Sequence, residues 1–392
     1  MSRARPRTGR AIWFYMDQLE VGGVERILIN LMTCLLRGGW EPTLVLNQAR
    51  GVLLAAVPPA VPIIDLGVKS FAAAVPALAA RLREGRPDIL LSQRGYLNAV
   101  AAFAHLASGR QGRLVLMEHS LTSKVLQEAR MPSRPVDRLI GLLGPAIYRL
   151  SDAIVGVSLG VAADLSATMR LPSQKVKVLY NPAIPDADEL ARSLAAPIAL
   201  PWAEDGKPLI VTVGRLSPEK GYDLLFQAFL RLREKLDARL VIIGTGPEYA
   251  DLERRIASLD LRERVFLVGY QSNPYAWLRR ADAFVLSSVI ESFPTVILEA
   301  MAAGTPVVAF DCPEGPREII TPEHDGLLVP PRDPEALAQG LHRVLMDGQL
   351  AKKLAEGGRQ RAAAFTFEHT FRAYERFFES LLQSSPTLRR TP

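Results

Sequence analysis

The chain has 392 residues, 48% of them hydrophobic and 22% charged, which suits two folded domains and excludes a disordered chain. Cys34 and Cys312 are its only cysteines, too few for a disulfide framework and without zinc-like spacing. No apolar run reaches the roughly 18–20 residues of a membrane-spanning helix. The apolar stretch after the basic start ends at Asp17, too soon for a secretory signal, so a cytoplasmic protein with reduced thiols is expected.

Short apolar runs then alternate with segments of helical period, the pattern of parallel α/β sheets. In the first half, strands are expected over Ile12–Met16, Thr43–Leu46, Ile89–Leu91, Arg113–Met117, Ala153–Val157 and Val176–Leu179. Helices are expected over Val24–Arg37, Phe71–Arg83, Gly95–Ala107 and Val161–Met169, the first closed by Gly38-Gly39. These form a first domain over residues 1–185. Residues 186–207, rich in Pro, Ala and acidic side chains and without a clear period, are expected to be a linker.

The pattern resumes over residues 208–365. Strands are expected at Leu209–Val213, Leu240–Ile243, Val265–Val268, Ala283–Leu286, Pro306–Phe310 and Leu327–Val329. Helices are expected at Tyr222–Lys235, Glu248–Leu259, Thr295–Ala303, Arg317–Ile320, Pro334–Met346 and Gln349–Ala364. A last helix, Phe367–Leu382, gathers Phe367, Phe371, Tyr374, Phe377, Phe378 and Leu381 on one broad face. So apolar a face must pack somewhere, and residues 366–392 are expected to return to the first domain. The fold class is α/β: two doubly wound Rossmann-like domains facing across a cleft, with ligands expected at the carboxyl ends of the strands.

Three motifs point there. Gly22-Gly23-Val24-Glu25-Arg26 follows the first strand and opens a helix, where close backbone approach and free N–H groups attract phosphate. Gly214-Arg215-Leu216-Ser217-Pro218-Glu219-Lys220-Gly221 follows Leu209–Val213. Its two cations can neutralise a diphosphate, Arg215 with fork donors and Lys220 as a point charge. Glu291-Ser292-Phe293-Pro294-Thr295 leads into a helix carrying Glu299 among apolar neighbours, where a carboxylate needs a specific partner.

With Gly304-Thr305-Pro306-Val307-Val308, these residues resemble the GT-B glycosyltransferases of family four. Asp152–Ser158, Tyr180-Asn181-Pro182, Gly315–Ile319 and Gly326–Pro330 extend the resemblance over nearly the whole chain. It implies a retaining transferase that moves a hexose-type sugar from a nucleotide diphosphate, with no metal or other cofactor. Arg215 and Lys220 would then grip the diphosphate and Glu299 the ribose hydroxyls. Glu291, with the backbone amides of Phe293 and Thr295, would hold the sugar or the β-phosphate, and Gly214, Ser292 and Pro294 would belong to the same donor site. From the first domain, Gly22 and Gly23 would close over the diphosphate and His119 would lie near the transferred sugar. Tyr270 would lie near the base. Ser292 and Ser120 depart from the residues many relatives carry there, Gly and Asn, which leaves the sugar undetermined.

The resemblance also implies front-face attack, with the departing phosphate helping to remove the acceptor's proton. The acceptor is expected to be a glycan or a lipid-linked glycan. The net charge of +6 is uneven: Met1–Pro185 carries 22 Lys+Arg against 12 Asp+Glu, and Asp186–Pro392 carries 25 against 29. The stretch Ser123–Ser151 mixes Lys124, Arg130, Arg134, Arg138 and Arg149 with Leu139, Ile140, Leu142, Leu143, Ile147 and Leu150. It reads either as an interfacial helix on the inner face of an anionic membrane or as a helix packed on the first sheet with its basic residues in water. No aromatic-basic interleaving favours nucleic acid. A non-catalytic nucleotide-sugar sensor and a sugar-nucleotide epimerase are the alternative functions; an epimerase is not expected to carry these motifs together.

Overall fold

The computed structural model describes residues 10–20, 22–129 and 143–384. Two compact units divide the chain: one runs to Pro182 and resumes at Phe367, and the other is Ala183–Thr366.

In the first unit, strands β1 (Ala11–Met16), β2 (Glu41–Leu46), β3 (Ile63–Asp65), β4 (Ile89–Gln93), β5 (Arg113–Glu118), β6 (Ala153–Gly156) and β7 (Val176–Val178) alternate with helices. Those helices are α1 (Gly23–Arg37), α2 (Phe71–Gly85), α3 (Gly95–Ala107), α4 (Thr122–Ala129) and α5 (Leu159–Thr168). All seven strands pair in parallel, in the order β3-β2-β1-β4-β5-β6-β7. The central strands are covered on both faces, so they read as unbroken apolar runs and not as alternating ones. Edge strand β3 was not expected from the sequence, because its three residues are exposed or half-buried and leave no apolar signature. Residues 143–149 are helical, with Ile147 and Tyr148 buried. Lys124 stands in α4, and residues 130–142 of the basic-apolar stretch, including Arg130, Arg134, Arg138, Leu139, Ile140 and Leu142, lie outside the described residues.

The second unit repeats the plan with β8 (Leu209–Val213), β9 (Arg239–Ile243), β10 (Val265–Leu267), β11 (Ala283–Leu286), β12 (Val307–Phe310) and β13 (Leu327–Val329). Its helices are α6 (Ala187–Ala195), α7 (Tyr222–Arg233), α8 (Tyr249–Ser258), α9 (Tyr275–Arg280), α10 (Thr295–Ala303), α11 (Pro316–Ile319), α12 (Pro334–Met346) and α13 (Gly348–Ala363). The strands are again parallel, in the order β10-β9-β8-β11-β12-β13. Helices α7 and α12 supply Leu225, Phe229, Leu337 and Leu341 to a core shared with Ile210, Leu240, Ile242 and Val308.

One expectation needs correcting. Residues 186–207 are not an irregular linker, because they hold α6, with Asp186 at its N-cap position and Asp188 and Glu189 in its first turn. Acidic residues there oppose the helix dipole favourably. None of its residues is buried, so no apolar period marks it. It is held from α9's side: the Asn273 amide donates to the Ser193 carbonyl at 2.7 Å, and Arg279 donates to that of Leu194 at 3.3 Å. Farther on, Trp202 stacks on Phe266 at 4.6 Å and Asp205 pairs with Arg239.

The chain closes with α14 (Phe367–Gln383), which belongs to the first unit. Phe378 meets Trp40 edge-on at 5.5 Å, and Tyr374 and Phe378 are wholly buried. Phe371 fills the space at Gly38, where a Cβ would run into its ring. Among the described residues no helix is long and apolar enough to cross a membrane.

Candidate functional site

In each unit the strand order reverses beside the first strand, and at such a switch point the loops at the carboxyl ends diverge and leave room for a ligand. In the second unit the reversal lies between β8 and β11. The loops leaving these two strands carry Gly214–Gly221 and Ser287–Pro294, so two of the three motifs converge there.

The first loop is locked to its neighbours. Gly214 N–H donates to the Ile243 carbonyl at 2.9 Å and Leu216 N–H to that of Thr245 at 2.9 Å. Gly244, at φ +147°, lies so close to Gly214 that any side chain would strike its carbonyl. The Ser287 hydroxyl donates to the Lys220 carbonyl at 2.9 Å, and Val289 N–H to that of Glu219 at 2.9 Å. Loop and strand end therefore move as one body.

Lys220 and Glu291 form the centre. The ammonium lies 2.6 Å from Glu291 Oε1, and the Ser288 hydroxyl donates to the same oxygen at 2.7 Å. Burial alone would lower the Lys220 pKa, but the charge and hydrogen bond of Glu291 outweigh it and hold it above the ordinary lysine value. Cys312 lies in the same electrostatic neighbourhood; burial first, then Glu291, pushes its thiol up to about 12, so it stays neutral. Arg215 is exposed and, among the described residues, has no carboxylate within ion-pair reach. Its carbonyl accepts from the Tyr222 hydroxyl at 3.3 Å, which fixes the backbone and leaves the guanidinium in water.

Helix α10 starts at Thr295 with Pro294 as its cap, and no side chain caps its first amides. Such an end favours anions. Phe293 is buried and stacks on Phe365 at 5.7 Å, and Pro294 is buried too, so only their backbones are left to serve a ligand. Ser292 and Glu299 are half-buried. Tyr270 is 37% exposed and follows Gly269, whose carbonyl accepts from Gly244 N–H at 2.9 Å. Gly214, Gly244 and Gly269 thus tie the loops after β8, β9 and β10 side by side.

Gly22, Gly23 and His119 lie in the first unit, at the carboxyl edge of its sheet. Gly22 caps α1 without a side-chain bond. Beneath it sits buried Glu25, which accepts from Arg94 at 2.9 Å while its Oε2 has no partner. Arg94, directly after β4, holds an unusual φ of +91°. His119 directly follows β5 and is 6% exposed, with both ring nitrogens unpartnered. Burial and then Arg94 lower its pKa to about 3, so it is neutral near pH 7. Its neighbour Glu118 is raised to about 7 by burial, despite hydrogen bonds from Tyr148 and Asn98.

Ser287, Ser288 and Arg94 were not singled out in the sequence. The serines stand three and four residues before Glu291, a signal only to a reader who already suspects that carboxylate. Nothing local marks Arg94.

Residues 21–186 match the family model described as Glycosyltransferase Family 4, and residues 201–361 match Glycosyl transferases group 1. The chain is similar to the N-acetylgalactosamine-N,N'-diacetylbacillosaminyl-diphospho-undecaprenol 4-alpha-N-acetylgalactosaminyltransferase of Campylobacter jejuni. They are 33% identical over 268 residues, 68% of this chain and 70% of that one. Several other curated relatives match over only about half of their own length. Among solved structures, HepE of Anabaena in complex with UDP and glucose has a TM-score of 0.76 at 18% identity, covering 95% of this chain and 100% of that one. Sucrose-phosphate synthase of Thermosynechococcus elongatus has a TM-score of 0.76 at 22% identity, covering 95% and 99%. At these identities the likeness shows the fold.

Proposed function

This chain belongs to the group 1 glycosyltransferases of family 4, and on that premise we propose that it is a retaining, metal-independent hexosyltransferase. Its donor is a nucleoside diphosphate sugar, and its acceptor a glycan or lipid-linked glycan. The observation that carries the reading is the Lys220–Glu291 pair at the switch point of the second unit, 2.6 Å apart, with Arg215 on the same loop.

A departing nucleoside diphosphate gains negative charge as the bond to the sugar breaks. Fixed cations that meet this charge lower the barrier, because they act most strongly in the transition state. Lys220 and Arg215 fill that role, and the uncapped start of α10 adds its dipole. Glu291 accepts hydrogen bonds from sugar hydroxyls, and Glu299 from the ribose. The acceptor oxygen attacks the anomeric carbon on the face the phosphate leaves, and its proton passes to a phosphate oxygen. No nucleophilic carboxylate beside the anomeric carbon is then needed. In this reading neutral His119 has a hydrogen-bonding role toward the sugar, and the backbone of Gly22 and Gly23 has a role toward the diphosphate.

The Campylobacter relative is named for an undecaprenol-linked acceptor and the Anabaena structure holds UDP. Lipid-linked acceptors and UDP-sugars are therefore the first substrates to test. Lys220→Ala and Arg215→Ala should each lower kcat by about 10²–10³. Turnover of a labelled donor by Lys220→Ala within a few-fold of wild type would overturn the assignment. Wild type that binds donor and releases no product would mark a sensor instead.

A further inference from the structure

Glu291 uses its two oxygens unequally. Oε1 accepts from both Lys220, at 2.6 Å, and Ser288, at 2.7 Å. Oε2 takes no hydrogen bond from any described residue, and the carboxylate side chain is 10% exposed. Ser288 is 1% exposed and lies three residues before Glu291 on the same loop. Its neighbour Ser287 is bonded elsewhere, to the carbonyl of Lys220.

Lys220 alone makes a poor anchor for this carboxylate. An incoming diphosphate attracts the ammonium, and a carboxylate held only by that ammonium would follow it or lose its partner. A neutral hydroxyl feels no such pull. Resting on the donor-site reading above, we propose that Ser288 is a positioning residue for Glu291. It holds Oε1 when Lys220 turns to the phosphates, and so keeps Oε2 as the acceptor that reads a hydroxyl of the donor's sugar. Division of labour follows: Lys220 answers to the diphosphate, while the Ser288–Glu291 pair answers to the sugar.

Titration calorimetry on the full chain separates the two. Wild type is titrated with UDP, GDP and ADP, then with UDP-glucose, UDP-galactose, UDP-N-acetylglucosamine, UDP-N-acetylgalactosamine and GDP-mannose. Ser288→Ala should bind the preferred diphosphate within about twofold of wild type. It should bind the preferred sugar nucleotide about tenfold more weakly, the scale of one hydrogen bond to a charged group. Ser288→Thr keeps the hydroxyl and should restore most of that affinity. In a Glu291→Gln background the further change Ser288→Ala should cost nothing more, an outcome that a merely structural serine would not produce. Equal weakening toward diphosphate and sugar nucleotide, no weakening at all, or additive losses in the double variant would each overturn the proposal and leave the donor site standing. Wild type that binds none of the nucleotides would overturn the donor-site reading itself, and this proposal with it.

Discussion

Adjacent buried residues at the end of β5 titrate in opposite senses. Glu118 is raised to about 7 by burial, so the folded chain binds a proton there that the unfolded chain has released. Its contribution to stability is complete below the unfolded value, near 4.5, and is lost as pH rises toward 7. His119 is lowered to about 3, so its contribution is present above 6.5 and is lost as pH falls toward 3. Comparing Glu118→Gln with wild type isolates the first effect. The variant should flatten the fall in stability between about pH 4.5 and 7, by an amount on the order of 3 kcal/mol across that window. Parallel Tm–pH curves for the two proteins would refute the assignment. Arg215, Lys220 and Glu291 were legible at this scale because each stands in a contiguous motif just past a strand, and Glu299 because it stands among apolar neighbours on the helix that follows. Arg94 was not, because its partner Glu25 stands on another segment of chain, and Ser288 was not, because a serine three residues before a carboxylate shows nothing of whether the two will bond.

Elements carry the clearest contrast in legibility. Helix α14 announces itself by its aromatic face, and the structure shows what receives it: Trp40, Gly38 and the end of α1. Gly38 reads in the sequence as a helix stop, yet it also makes room for the ring of Phe371. Gly38→Ala should therefore destabilise the protein by about 1–3 kcal/mol through overpacking, and Phe378→Ala by about 3–5 kcal/mol through a cavity. Urea unfolding measures both; a Gly38→Ala midpoint equal to wild type would show that the ring simply shifts aside. Helix α6 stayed hidden because none of its residues is buried, and burial is what imprints a 3.6-residue period on a sequence.

At the scale of the whole molecule, two sheets built on one plan do different work. The second unit gathers its cations and carboxylates on two adjoining loops, whereas the first offers a paired Glu25–Arg94, a neutral His119 and a bare glycine turn. Nucleoside diphosphate at 100 times its Kd should stabilise the native chain by about 2.7 kcal/mol. Hydrogen exchange should slow at residues 214–221 and 291–295; protection absent from both loops would move the site elsewhere. The excess of Lys and Arg before Pro185, 22 against 12 acidic residues, makes flotation with anionic vesicles at low salt the matching test of membrane association. Vesicles that leave the protein behind would remove that partner.

By itself the sequence determined two parallel α/β units, most of their strands and helices, and the motifs that hold the charged residues. All of these are written in local periodicity or in consecutive residues. Tertiary structure decided the strand order, the seat of α14, and the pairing of Lys220 with a carboxylate 71 positions away. It also decided that Ser288 shares that carboxylate and that Glu25 is buried against Arg94. Contacts between distant segments leave no local signature, because they exist only after the chain has closed its loops and paid the entropy of doing so.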